Sequence, residues 1–262
     1  YAIVGRVVQC GAGVATYAAG DLVFALHPHQ ALFNAPVGLL IRLPTDLDPL
    51  LGVFCANLET ALNIAHDTPL HLGETAVVFG QGVVGALAAQ TLRLAGAGRV
   101  LVVDPLPARR ARALQLGADA AFAPGDDLPA QIRNANGGRL ADVALEVSGA
   151  PAALQDAIES VLDEGTIVLA SWYGSKPTTL QLGGRFHRGR LTLRSSQVGR
   201  LNPALGPRWD YQRRLETVAA LLPRLQLREL LTHRFPIAEA AAAYQLVDQR
   251  PGECGQVILT YE

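Results

Sequence analysis

Residues 77–85 read Val77-Val78-Phe79-Gly80-Gln81-Gly82-Val83-Val84-Gly85, and the next acidic side chain, beyond a second apolar run, is Asp104. Each glycine has its own steric task. Gly80 permits a tight turn out of a strand, Gly82 lets backbone amides approach a pyrophosphate, and Gly85 lets the following helix pack closely on the sheet. A helix beginning at Val83 and Val84 turns unpaired N–H groups and the positive end of its dipole toward phosphate, with the Gln81 backbone completing the turn. Asp104 stands nineteen residues past Gly85, where a carboxylate accepts hydrogen bonds from both hydroxyls of an adenosine ribose and repels a 2′-phosphate. Arg109, one turn further on, reaches the same ribose. The pattern predicts a dinucleotide site that prefers NAD. Arg109 and Arg110 as phosphate ligands would make it NADP, and another nucleoside cofactor, such as a sulfonium methyl donor, is the remaining alternative.

A second concentration of chemistry is Arg185-Phe186-His187-Arg188-Gly189-Arg190-Leu191-Thr192-Leu193-Arg194, with four arginines and a histidine. Arginine forks bind carboxylate or phosphate bidentately, so the segment reads either as a clamp for an anionic substrate or as a solvated surface strand. The chain of 262 residues carries a formal charge of −1, which gives no pull toward nucleic acid, and no aromatic stacking series supports such a partner. No stretch approaches the roughly 20 uninterrupted apolar residues of a membrane span. The three cysteines, Cys10, Cys55 and Cys254, are odd in number and widely spaced, which suits a reducing cytoplasm better than a disulfide framework.

The elements that must hold these residues alternate. Strands are expected at 76–79, 100–103, 120–122, 143–147, 166–170 and 191–194, and helices at 83–94, 107–116, 128–134 and 151–162. Pro107 and Pro151 stand at first turns, and Gly96 and Gly117 at C-caps. Apolar strands alternating with helices predict an α/β fold: a doubly wound parallel sheet covered on both faces. Before it, apolar runs at 3–8, 22–26 and 39–43 broken by glycine and proline read as part of a small β-barrel, followed by a helical pattern from Asp48 to Ala65. Helices near 211–222 and 237–248 and a strand at 256–261 complete the chain. The run from Tyr1 enters a strand with no capping or loop residues before it, which implies that a preceding segment is missing.

Several stretches together resemble the medium-chain dehydrogenase/reductase superfamily of the zinc alcohol dehydrogenase type. They are Val7-Val8 through Gly20-Asp21-Leu22-Val23, Leu72 through Gly80, Leu116-Gly117-Ala118-Asp119, Glu146-Val147-Ser148-Gly149 and Val257-Ile258-Leu259-Thr260-Tyr261. The resemblance implies a GroES-like β-barrel catalytic domain formed by 1–54 and 226–262, and a Rossmann NAD-binding domain over 55–225. It implies that Val147, Ser148, Gly149, Ser171 and Trp172 lie against the cofactor, and that the protein is a homodimer.

The departures from that family bear on the metal. In this register Tyr1 and Ala2 occupy the histidine and glutamate positions of the family's Gly-His-Glu motif. The segment after Gly20-Asp21-Leu22-Val23 carries His27-Pro28-His29-Gln30 in place of the four-cysteine zinc lobe. Cys55 alone falls at the spacing of a catalytic zinc ligand, and a lone cysteine among apolar neighbours is more often packing than ligand. No metal is therefore expected, although His27 and His29 are a conceivable replacement pair. Hydride transfer without zinc needs other donors for the developing oxyanion. Candidates are Glu59, Thr60 and Asn63 on one side of a helix, Trp172 and Tyr173 beside the nicotinamide end, His27, and Tyr1. The sum is a cytoplasmic NAD(H)-dependent, zinc-independent oxidoreductase moving a hydride between nicotinamide and a carbonyl or alcohol of a small polar, and by the arginine cluster anionic, substrate. The alternatives are a zinc-free enoyl or quinone reductase and a catalytically idle NAD-binding module.

Overall fold

The computed structural model describes residues 2–261, so Tyr1 lies outside the described residues. In chain order the elements are β1 (Ala2–Arg6), β2 (Leu22–Leu26), β3 (Ile41–Arg42), α1 (Pro49–Gly52), α2 (Cys55–Asp67), β4 (Thr75–Phe79), α3 (Val83–Ala95), β5 (Arg99–Val103), α4 (Pro107–Gln115) and β6 (Ala120–Phe122). There follow α5 (Leu128–Ala135), β7 (Ala141–Glu146), α6 (Pro151–Ser160), β8 (Val161–Leu169), β9 (Thr192–Ser195), α7 (Tyr211–Leu221), β10 (Leu231–Pro236), α8 (Ala240–Gln249) and β11 (Gln256–Thr260).

β4 to β9 form one six-stranded sheet in the order β6-β5-β4-β7-β8-β9, and every neighbouring pair is parallel. The chain winds outward from β4 in one direction and then from β7 in the other. That reversal leaves a crevice beyond the carboxyl ends of these two strands, where Rossmann folds take their ligands. Val77, Val78, Leu101, Val102, Ala144 and Leu145 are wholly buried, as both faces of a helix-covered sheet require, and this is why the strands read as continuous apolar runs. α3 ends on Gly96, whose φ of 108° closes the helix with bonds to Arg93 O and Leu92 O.

The chain divides into two compact units, residues 60–204 and residues 1–59 with 205–262. The first of these holds the parallel sheet. The other holds the antiparallel sheet β1-β2-β3 and the parallel pair β10-β11, the barrel-like part of the chain. The sequence places the second boundary after residue 225, whereas 205–225 groups with β1-β2-β3. The reason lies in α7, which lies against β3, buries Val218 and reaches Glu59 through Arg214. β10 has no counterpart among the expected strands: His233, Arg234 and the closing Pro236 interrupt its apolar alternation.

Candidate active site

The turn from β4 into α3 is shaped by what its glycines exclude. Gly80 has φ 94°, and a Cβ on it would stand 2.6 Å from the Ser148 Cα. A Cβ on Gly85 would overlap the Gly80 carbonyl oxygen and press on the Val147 side chain. Gly82 is different. A Cβ there meets nothing within 4 Å, and no side chain caps the N-terminus of α3. The backbone of Gln81, Gly82, Val83 and Val84 thus forms a cradle with the dipole end of a 13-residue helix behind it, the donor set a pyrophosphate requires. A dinucleotide fits these residues.

Asp104 is 2% exposed and sits just past β5. The Gln81 N–H donates to its Oδ2 at 2.7 Å and the Leu106 N–H to its Oδ1 at 2.9 Å. Arg109 Nη1 lies 3.8 Å from Oδ2. Arg110 donates instead to the Asp104 and Pro105 carbonyl oxygens at 2.8 and 2.9 Å. The carboxylate therefore ties the glycine turn to β5, a task the spacing did not reveal. Each of its oxygens keeps a second lone pair. Of the two arginines, Arg109 faces the carboxylate and Arg110 is drawn toward the backbone.

Across the crevice, the segments after β7 and β8 are joined. Glu146 closes β7 with no exposed surface. Its Oε1 accepts from the Ser148 N–H at 2.7 Å and from the Ser148 hydroxyl, and its Oε2 accepts from the Tyr173 hydroxyl at 2.6 Å. The Gly149 N–H donates to Ser171 Oγ at 2.8 Å, and Lys176 Nζ to the Gly149 carbonyl at 3.2 Å. Burial, and then the hydrogen bond and charge of Glu146, push the Tyr173 hydroxyl well above the ordinary tyrosine range. Val147, Ser148, Gly149 and Ser171 thus gather in one place. Trp172, between Ser171 and Tyr173, is 91% exposed.

Of the expected oxyanion donors, Glu59 and Asn63 already have side-chain partners. Glu59 is paired with Arg214 at 2.5 Å, their side chains 16% and 3% exposed, so its charge is matched from α7. Asn63, four residues on, donates to Asp67 Oδ2 at 3.0 Å and to Ser196 Oγ at 3.3 Å, and Ser196 donates to the same Asp67 oxygen at 2.7 Å. This triad fastens α2 to the end of β9. Thr60 lies half-buried on α2 between them. Cys55 is 1% exposed; burial and the neighbouring Glu59 push its thiol up to about 12, which disfavours the thiolate a metal would need. His27 stacks on Phe33 with centroids 3.8 Å apart, and burial lowers the His29 pKa. Among the described residues no three of His, Cys, Asp and Glu are grouped as a metal site would demand.

Three of the four arginines in the cluster face carboxylates. Arg185 bonds Asp163 at 2.6 Å and the Val161 carbonyl at 2.7 Å, Arg190 meets Glu164 at 3.2 Å, and Arg194 lies 3.7 Å from Asp67. Arg188 is exposed. Sequence reasoning missed Glu146 and Arg214 as parts of these arrangements. Glu146 was legible in principle, since it ends an apolar strand just as Asp104 does. A cavity of about 450 Å³ also exists, lined by Ile3, Val4, Leu50, Val53, Val257 and Leu259 among others; none of its residues belongs to the glycine turn.

A doubly wound parallel sheet with a glycine cradle and an acid closing the next strand defines a dinucleotide-binding oxidoreductase fold. Residues 83–218 match the family described as zinc-binding dehydrogenase, and the chain belongs to that family. It is 30% identical over 267 residues to D-guloside 3-dehydrogenase of Shigella flexneri, covering 99% of this chain and 76% of that one. A structure described as a short chain alcohol dehydrogenase from E. coli CFT073, complexed with NADH, matches with a TM-score of 0.78 at 20% identity, over 98% of this chain and 82% of that one. A zinc-binding dehydrogenase structure from Sinorhizobium meliloti 1021 bound to NADP matches with a TM-score of 0.78 at 21% identity, over 98% and 81%. These structural likenesses are likenesses of fold. The protein is an alcohol dehydrogenase-like oxidoreductase.

Proposed function

We propose that this oxidoreductase takes NAD(H) in preference to NADP(H) and transfers hydride between nicotinamide and a carbonyl or alcohol carbon, without a catalytic zinc ion. The observation that carries the cofactor preference is Asp104, a buried carboxylate fixed at the edge of the glycine turn. A 2′-phosphate brought beside it would meet like charge at low dielectric, while ribose hydroxyls would donate to its remaining lone pairs. The cradle at Gln81–Val84 holds the pyrophosphate, and α3 supplies the dipole. The bound nicotinamide supplies the hydride chemistry; the chain orients it and excludes water.

Two observations support a zinc-independent reaction: Cys55 is buried, with burial raising its thiol, and the Glu59 carboxylate is matched by Arg214. The ion pairs of Arg185, Arg190 and Arg194 with Asp163, Glu164 and Asp67 weaken the ground for an anionic substrate, so a neutral polyol, sugar or hydroxyketone fits the reading better. We assign a reducing, cytoplasmic setting from the three free thiols, and a homodimer by analogy with the family. No helix among the described residues is long and apolar enough to cross a membrane.

The test is a pair of titrations. NADH should bind the unmodified protein at least tenfold more tightly than NADPH, a difference of about 1.4 kcal/mol. Asp104→Ser should narrow that ratio. Tighter binding of NADPH to the unmodified protein would end the argument, and stoichiometric zinc by elemental analysis would end the zinc-independent reading.

A further inference from the structure

The buried carboxylate of Glu146 sits where β7 and β8 part. Their pairing runs as far as Leu145–Val168 and Glu146–Leu169, and the Glu146 carbonyl then accepts from the N–H groups of Ala170 and Ser171 at 3.0 and 3.1 Å and from the Ser171 hydroxyl at 3.4 Å. Beyond Glu146 the chain departs into Val147–Gly149 on one side and Ser171–Tyr173 on the other. Side chains carry the join further: Tyr173 Oη donates to Glu146 Oε2, the Gly149 N–H to Ser171 Oγ, and Lys176 Nζ to the Gly149 carbonyl. The Tyr173 ring packs on the core under the sheet, so its hydroxyl is delivered to Glu146 from a fixed base. On the other side, Ser148 stands against Gly80 so closely that no side chain fits between them. The carboxylate is therefore the middle member of a chain running from the glycine turn, through Ser148 and Glu146, to Tyr173.

We propose that Glu146 and Tyr173 are positioning residues: together they latch the segment after β8 to the segment after β7 and so set the shape of the backbone that receives the nicotinamide-ribose half of the dinucleotide. This rests on the dinucleotide reading above. The physical reason is preorganisation. A loop that must be ordered when the ligand arrives subtracts that cost from binding, and a loop held beforehand does not. A charge-assisted hydrogen bond inside a fully buried site is the strong kind, and Glu146 has three such donors and no water-facing surface to relax into. The adenosine and pyrophosphate half rests on Asp104 and the α3 N-terminus instead, which the latch touches only through Ser148. Loss of the latch should therefore be felt by one half of the ligand and not the other.

Tyr173→Phe removes one hydroxyl and keeps the ring in the core. Calorimetric titration of the purified protein with NADH and, separately, with ADP reads the two halves. The variant should bind NADH about tenfold more weakly and ADP within twofold of the unmodified protein. Ser171→Ala, which opens the bond to the Gly149 N–H and leaves the three donors to the Glu146 carboxylate in place, should show the same split at unchanged melting temperature. That variant keeps the test decisive if Tyr173→Phe folds poorly. Equal weakening of NADH and ADP, or no change in either, would overturn the latch. If the unmodified protein binds neither NADH, NADPH nor ADP, the dinucleotide reading itself fails; if it binds them and the variants show no split, only the latch fails.

Discussion

Glu59 combines a plausible chemical role with a clear structural one, and the two are separable. It sits in the first turns of α2, and its partner Arg214 comes from α7, 155 residues later, with the guanidinium 3% exposed. Removing one member of such a pair strands the other charge in a poorly solvated place, at a cost of about 3–5 kcal/mol. Glu59 keeps some water contact at 16% exposure, which argues for the low end. Glu59→Gln should therefore lose about 3 kcal/mol, and at about 2–4 °C per kcal/mol for a chain of this size the midpoint should fall by about 6–12 °C. Arg214→Met alone should do similar damage. The double variant Glu59→Leu/Arg214→Met replaces both charges with apolar groups of like volume, and should recover most of the loss. The assay is a double-mutant cycle by thermal melting, with dehydrogenase turnover of a polyol and NAD measured on each variant. If the pair is structural, the double variant is both stable and active. A double variant that regains its midpoint but shows no turnover would refute the reasoning and return Glu59 to the chemistry.

The glycine turn gives a sharper contrast between folding and binding. Gly82→Ala adds a Cβ into open space at an ordinary φ of −67°, so it should melt with the unmodified protein yet bind NADH more than tenfold more weakly; wild-type affinity would mean that phosphate does not sit there. Gly85→Ala drives a Cβ into the Gly80 carbonyl oxygen and should lower both the melting temperature and the affinity. For pH, Asp156 is raised above its ordinary 3.8 by burial and then by the charge of Asp126. A folded-state pKa above the unfolded one means that ionisation opposes folding, so its cost is absent near pH 3 and grows as the pH rises through the folded value. Asp156→Asn should thus stabilise at pH 7 and make no difference near pH 3, as denaturant midpoints at the two pH values will show.

Much of the parallel sheet was legible because its signals are local. β4, β5 and β7 carry apolar runs at Ala76–Phe79, Val100–Val103 and Val143–Leu145, α4, α5 and α6 carry proline in the first turn, and α3 ends on Gly96. The glycine turn is also written within six residues. What escaped is what depends on distant partners. Glu59 and Asn63 look like neighbours on one helix face, yet one is taken by Arg214 and the other by Asp67 and Ser196. Arg185, Arg190 and Arg194 look available until Asp163, Glu164 and Asp67 are found opposite them. A pattern of residue types shows which groups could act; it does not show which charges are already spoken for. β10 was hidden for a related reason, since its ladder is drawn with β11 and its own side chains alternate poorly.

The order of the strands also says something about how the chain is born. β4 lies at the centre of the sheet with every residue buried, between β5, which follows soon after it, and β7, which leaves the ribosome about sixty residues later, several seconds at ordinary rates of synthesis. Throughout that interval one edge of β4 is an apolar ribbon of unpaired N–H and C=O groups, the form most inclined to pair with a neighbouring chain. Overexpression should find its difficulty there, in the nascent half-sheet, rather than in the finished enzyme.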